Sequence, residues 1–249
     1  MQLGYNKPDI YILMGYTNRR LNEYEYSEDN FKIAEGLSGN VEQYLTIRAN
    51  IAIQIFELGD ALEYFNKLID IDHNELSYYF FKGIVYIYMD KQDNAIMNFE
   101  QYIENGYKGN FFLLTNFHLS KLYFNKNEYD KVIKCVTICE NNLLLYSNVC
   151  QFRAMSIMIK LLDEKDTKIF YDNISDRIED INTVINDIKH REQYVSLNMY
   201  EKAFIAIALL LKNDYIDAEK YYKDAIQLDD SLISEFEKIG FLKKLNSLK

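Results

Sequence analysis

The amino-acid sequence predicts an all-α chain, a solenoid of about six helix pairs closed by a C-terminal capping helix. Two series of small residues carry the prediction. Ser27, Ala61 and Ala95 are 34 apart, and so are Gly15, Ala49 and Gly83; a fixed period in the thirties belongs to units that each bury an apolar face on the next. Composition agrees, because 1 Pro and 9 Gly in 249 residues are too few for the tight turns of a sandwich or barrel, whereas helical loops are served by Asn, Asp and Lys. With 49% hydrophobic and 27% charged residues the chain reads as ordered, with no low-complexity tract. A repeat array grows lengthwise, so one elongated domain suits this length better than two globular cores.

Residues 1–8 read as the end of a preceding unit's second helix, with Pro8 at its close, which would make the chain a piece of a longer protein. Residues 9–146 read as four units. In the third, Tyr79, Gly83 and Tyr86 are followed by Ala95, Phe99 and Tyr102, an aromatic-x3-small-x2-Tyr helix and then a small-x3-aromatic helix. The second aligns Leu45, Ala49 and Ala52 with Ala61, Phe65 and Leu68, and the first Tyr11, Gly15 and Asn18 with Ser27, Phe31 and Ala34. These units resemble the tetratricopeptide repeat, whose consensus is W-x2-L-G-x2-Y then A-x3-F. The resemblance implies a right-handed solenoid in which the small residues mark the close approach of the two helices of a pair. The fourth unit slips by three residues, with Ser120 and Tyr123 on its first helix and Val132, Val136 and Cys139 on its second; an inserted loop at Gly106 to Asn110 accounts for the slip.

A degenerate fifth unit with an elongated helix occupies residues 147–198. From Ala154 to Ala206 the interval is 52, eighteen more than 34. Phe170, Ile174, Ile178, Ile181, Ile185 and Ile188 recur at three or four, predicting one amphipathic helix over Thr167 to His190. With a further helix over Gln193 to Leu211, it predicts an overhanging hairpin in which each helix gains about nine residues, roughly 13 Å. The sixth unit, residues 199–230, carries Ala206 and Leu209, then Ala218, Tyr222 and Ala225. Its turn Asn213-Asp214-Tyr215 matches Asn22-Glu23-Tyr24 and Asn127-Glu128-Tyr129. Residues 231–249 read as a single capping helix begun by Ser231.

The chemistry-bearing residues form no catalytic pattern. His73, His118 and His190 lie on separate elements, so no Ser-His-Asp or Cys-His pairing follows from spacing. Asp70 and His73 share a face, but two ligands do not make a metal site. Cys135, Cys139, Cys150 and His118 are conceivable as a zinc site, yet reduced packing thiols explain them better. Neither a phosphate loop nor a zinc-protease helix motif occurs. Asp172, Asp176, Glu179, Asp180 and Asp187 read as one solvated helix face. We therefore expect no catalysis, no cofactor and no metal.

The formal net charge of −10 opposes nucleic acid, which is held by Lys and Arg, and favours a neutral or basic protein partner. Met1 to Ile10 has no signal-peptide core, and the apolar run Ala203 to Leu211 is too short to span a bilayer. The expectation is a soluble, cytoplasmic chain that binds neither membrane nor nucleic acid.

The resemblance also implies a function. In tetratricopeptide arrays the first helices line a concave groove that receives an extended peptide or a helix. Carried over by position, the groove candidates are Ile12, Tyr16, Thr46, Asn50, Phe80, Ile84, Phe117, Lys121, Gln151, Met155 and Ile207. Asn50 stands where many members keep an Asn that bonds a ligand backbone. The chaperone-binding clamp for a terminal carboxylate is missing, since its places hold Ile12, Tyr16, Ile47, Ser77 and Phe81. A non-enzymatic scaffold that binds a protein or peptide is thus expected. The alternatives are a peptide-sensing module of a bacterial regulator, or the repeat tail of a larger enzyme such as a glycosyltransferase. The helix around Ala203 to Leu211 is apolar all round and must be covered, either by its own neighbours or by a second copy in a homodimer through the C-terminal repeats.

Overall fold

The computed structural model describes residues 7–104, 108–162 and 177–247. Among these there are 14 helices and no strand. The chain divides into two compact units, Met1–Thr115 and Asn116–Lys249.

The first unit holds three antiparallel pairs: α1 (Pro8–Arg20) with α2 (Tyr24–Leu37), α3 (Val41–Gln54) with α4 (Leu58–Ile71), and α5 (Ser77–Tyr88) with α6 (Gln92–Ile103). Pro8 opens α1 instead of closing an earlier helix, and its missing N–H is no loss there because first-turn amides have no helical acceptor. Residues 1–6 of the expected preceding helix lie outside the described residues. In the first helices, Gly15 and Gly83 let the second helix come close. A Cβ built on Gly15 would lie 2.5 Å from the Phe31 ring, and one on Gly83 would lie 2.6 Å from the Phe99 ring. Ser27 adds a hydrogen bond to the Gly15 carbonyl at 2.8 Å. The small residues spaced by 34 are therefore the places where the helices of a pair touch.

Five of the helix connections among the described residues share one turn. Asn22, Phe56, Asp90, Asn127 and Asn213 all adopt φ between 55° and 63°, and the N–H of the following residue reaches back to a carbonyl five positions earlier: Glu23 to Asn18, Glu57 to Ala52, Lys91 to Tyr86, Glu128 to Tyr123, Asp214 to Leu209, at 2.8–2.9 Å. This is the Schellman closure, which satisfies a carbonyl at the helix end and needs one left-handed residue. Asn and Asp enter that region readily. Phe56 does so against a penalty on the order of 1–2 kcal/mol for a residue with a Cβ.

The core of the first unit runs from Ile12, Tyr16 and Phe31 to Leu68, Tyr78 and Val85. Arg48 is held within it, its guanidinium 3.7 Å from the centre of the Phe31 ring and 4.5 Å from that of Tyr64, with one nitrogen donating to the Tyr44 hydroxyl at 2.9 Å. Its stem and charge thus join the first pair to the second.

α7 (Phe112–Asn125) contains the division between the units. The second unit continues with α8 (Tyr129–Cys139), α9 (Leu143–Leu162), α10 (Ile178–Glu192), α11 (Met199–Leu211), α12 (Tyr215–Leu228), α13 (Leu232–Lys238) and α14 (Phe241–Ser247). The longest helix among the described residues is α9, at 20 residues, and of the expected helix over Thr167 to His190 the first ten residues lie outside the described residues. Two details differ from the sequence expectation. First, α11 starts at Met199 rather than Gln193, because Asn198 caps it: the Asn198 side chain accepts from the Glu201 N–H at 3.0 Å while Glu201 accepts from the Asn198 N–H at 2.9 Å. At 13 residues α11 has an ordinary length, so it adds nothing to an overhanging hairpin. Finally, the C-terminal cap is two short helices, broken at Gly240 where φ is 66°, and Ser231 makes no side-chain cap; its own N–H donates to Asp229.

α11 is covered within its own unit. Ile205 to Leu211 are each at most 5% exposed, packed by α9, α10, α12 and α14. No second copy is needed to bury it.

Candidate functional site

The carboxylates of the fifth unit show how burial changes a reading. Asp187, expected on a solvated face, is fully buried, because Arg153 of α9 binds it with two nitrogens at 2.7 and 2.8 Å and the Tyr146 hydroxyl donates to it. Burial opposes charge on Arg153, but the bond and charge of Asp187 outweigh it and raise its pKa. Burial pushes the Asp187 carboxyl up against the pull of Arg153 and Tyr146. Glu179 and Asp180 are exposed, and Asp172 and Asp176 lie outside the described residues. The three cysteines are buried thiols, and burial pushes Cys139 up to about 11 and Cys150 up to about 12, away from the thiolate that chemistry requires. Among the described residues no group of three or more His, Cys, Asp or Glu is placed to hold a metal ion. Burial pulls His118 down to about 4, with the nearby charge of Lys121 adding to the effect.

The candidate site is a cavity of about 460 Å³ in the first unit. It is lined by Asn50, Ile53 and Gln54 of α3, by Phe80, Phe81 and Ile84 of α5, and by Phe111 and Leu114. Helical spacing explains the grouping: positions 50, 53 and 54, like 80, 81 and 84, lie three or four apart on one face. Phe80 and Phe111 stack face to face, centroids 4.4 Å apart and planes 2° from parallel, and Phe81 meets both rings edge-on. Phe111 is fixed there because its N–H donates to the Tyr102 hydroxyl at 2.9 Å. The wall is aromatic, no charged side chain lines it, and the two amides of Asn50 and Gln54 stand one helical turn apart and exposed at its edge. An apolar side chain fits such a place, with the amides available to a main chain.

Of the candidates named from sequence, Asn50, Phe80 and Ile84 meet in this cavity. Thr46 lies one turn earlier on α3 and spends its hydroxyl on the Glu42 carbonyl. Ile12 and Tyr16, at 0% and 2% exposed, pack in the core of the first unit, and Ile207, at 5%, in that of the second; Phe80 in the cavity wall is itself 3% exposed. In the second unit, the Lys121 ammonium sits 4.1 Å from the centre of the Phe117 ring, and Gln151 and Met155 are half-buried on α9. Sequence reasoning did not find Ile53, Gln54, Phe81, Phe111 and Leu114 as groove residues. Gln54 follows Asn50 at one turn, a signal that was present; Phe111 and Leu114 follow the three-residue insertion, where positional transfer loses register.

A second cavity, of about 350 Å³, lies in the other unit among Asn127, Glu128, Tyr129, Asp130, Lys131 and Lys160. Its charges are spent on one another, Lys160 with Asp130 and Lys131 with Glu128.

Paired helices with small residues at their contacts and a Schellman turn joining five of the pairs define a helical-repeat fold similar to that of tetratricopeptide arrays. Among solved structures, the chain is similar to the C-terminal part of a tetratricopeptide repeat-containing protein from Cytophaga hutchinsonii, at 16% identity over 94% of this chain and 88% of that one, with a TM-score of 0.53. That likeness carries the fold, and the fold only. The chain is also similar to MamA protein (16% identity, 78% of this chain and 99% of that one, TM-score 0.49) and to YrrB, described as a tetratricopeptide protein with an unusual peptide-binding site (12%, 74% and 88%, TM-score 0.46). No family model matches the sequence, and no curated protein matches it.

Proposed function

We propose that this chain is a non-enzymatic scaffold that binds an extended segment of a protein partner, with a large uncharged side chain of that segment in the cavity of the first unit and its main chain against Asn50 and Gln54. The observation that carries the reading is the cavity itself, walled by stacked aromatic rings, free of charge in its lining and rimmed by two amides. The partner is neutral or basic, because residues 1–115 hold 17 Asp and Glu against 9 Lys and Arg, a net −8 of the chain's −10. Neither nucleic acid nor membrane belongs to the reading; no helix among the described residues is long and apolar enough to cross a membrane. Three buried thiols are in keeping with a reducing compartment such as the cytoplasm.

Dodecapeptides selected from a random displayed library against the whole chain test this. The selected peptides are expected to share a large apolar residue and to bind at least tenfold more weakly to Ile84→Glu, which puts an unpaired carboxylate in the cavity, while Met155→Glu in the second unit leaves binding unchanged. Binding that Ile84→Glu does not weaken would move the site out of the cavity.

A further inference from the structure

The repeated turns provide an internal comparison. Four of the five left-handed positions hold Asn22, Asp90, Asn127 and Asn213, whereas the second pair holds Phe56. Its backbone follows the same path, with the Phe56 N–H on the Ile53 carbonyl at 3.1 Å and the Glu57 N–H on the Ala52 carbonyl at 2.9 Å, so the strain comes from the residue type alone. Burial does not offset it. Phe56 is 69% exposed and Tyr88 is 54% exposed, and the two rings meet edge to face in solvent with centroids 5.8 Å apart. Strain held without a return in packing points to function.

Charge says what suits this ring pair. Aromatic faces are negative, and the unit around them is strongly acidic. Two of the unit's cations beside this turn are already engaged: Arg20 holds the Ile55 carbonyl and Glu57, and Arg19 holds Asp60. Asp90, two residues beyond Tyr88, is exposed and pairs with no cation among the described residues; Lys91 beside it is the local counter-charge, and the unit's net charge stays negative. The pair also continues from the cavity, since Gln54 at its rim ends α3 and Phe56 follows two residues later.

We infer that Phe56 and Tyr88 form a subsite for an arginine side chain of the bound partner, stacked on the exposed rings. The inference rests on the peptide-binding reading of the cavity and adds a second, cationic determinant to it. It predicts that selected dodecapeptides carry an arginine at a fixed spacing from the apolar anchor.

The test is a cycle between peptide and protein. Arg→Gln in a selected peptide is expected to weaken binding to the unaltered chain roughly two- to fivefold, the range of an exposed cation–π contact. Phe56→Asn is expected to weaken binding of the arginine peptide by the same factor, and to abolish the difference between the two peptides. Because asparagine suits the left-handed turn, Phe56→Asn should also raise the unfolding midpoint, so that loss of binding is not loss of fold. Tyr88→Ala, which leaves the turn residue unchanged, should give the same loss of discrimination. Selected peptides without arginine, or an Arg→Gln effect that persists in Phe56→Asn, would overturn the subsite. Peptides that lose affinity with Ile84→Glu but not with Phe56→Asn overturn the subsite alone; a library that yields no binder, or binders indifferent to Ile84→Glu, overturns the cavity reading first and the subsite with it.

Discussion

Replacing Gly83 by alanine tests the claim that the 34-residue spacing marks helix contacts. The added Cβ would lie 2.6, 2.7 and 3.0 Å from three atoms of the Phe99 ring. Ordinary contact begins near 3.4 Å, so the ring must retreat by about 0.8 Å (3.4 − 2.6). Phe99 has no room to do so freely: it is fully buried and its centroid lies 5.9 Å from that of Phe80, part of the cavity wall. Overpacking of this kind costs about 1–3 kcal/mol, and alanine returns about 1 kcal/mol in helix propensity, leaving a net loss of about 1 kcal/mol. Gly59→Ala is the control. It lies within α4, and a Cβ there meets nothing within 4 Å, so it keeps the whole propensity gain of about 1 kcal/mol. Urea unfolding followed by tyrosine fluorescence, in a chain with 22 Tyr and no Trp, should place the two variants on opposite sides of the parent, about 2 kcal/mol apart. Equal stabilisation by both would refute the close-contact argument.

Removing one partner of the buried pair in the second unit, as in Arg153→Met, leaves Asp187 without its cation and should cost about 3–5 kcal/mol, while Arg153→Met combined with Asp187→Leu recovers most of it; thermal unfolding of the two variants beside the parent decides. Stability should also fall as pH drops from 6.5 toward 4, because His118 has a folded pKa of about 4 against an ordinary 6.5, so the unfolded chain takes up a proton that the folded one refuses. That contribution is on the order of 2–3 kcal/mol, and His118→Gln should flatten the pH slope in that window; an unchanged slope contradicts the assignment. Iodoacetamide at pH 8 should leave Cys135, Cys139 and Cys150 unmodified in the folded chain, given their burial, and mass spectrometry showing native alkylation would refute inert thiols.

Much of the architecture was legible because repetition turns single residues into comparisons. Gly15 and Gly83 announced close contacts before any coordinate showed Phe31 and Phe99 against them, and the match of Asn22, Asn127 and Asn213 foretold a shared turn. The second unit was less legible for a physical reason. An apolar helix period does not say where a helix starts, and Asn198 with Glu201, a reciprocal cap, moved the start of α11 to Met199. Gly240 likewise breaks a periodic run that reads as one helix. At the site, position in the repeat named Asn50, Phe80 and Ile84, which line the cavity, together with Ile12, Tyr16 and Ile207, which neighbouring helices bury. Asp187 escaped for a similar reason: a carboxylate on a polar face reads as solvated until Arg153, 34 residues away, is seen to face it. The insertion before Phe111 displaced the one aromatic that most shapes the cavity.

The central claim is that the cavity on α3 and α5 is where a partner segment binds. Nuclear magnetic resonance titration of the isotopically labelled whole chain with a selected dodecapeptide tests it most directly. The account predicts the largest saturable shifts at the side-chain amides of Asn50 and Gln54, the Ile84 methyls and the rings of Phe80, Phe81 and Phe111, with little change at Met155 or at the Asn127 to Lys131 turn. Saturable shifts confined to the second unit, with Asn50, Gln54 and Ile84 unmoved, would contradict it.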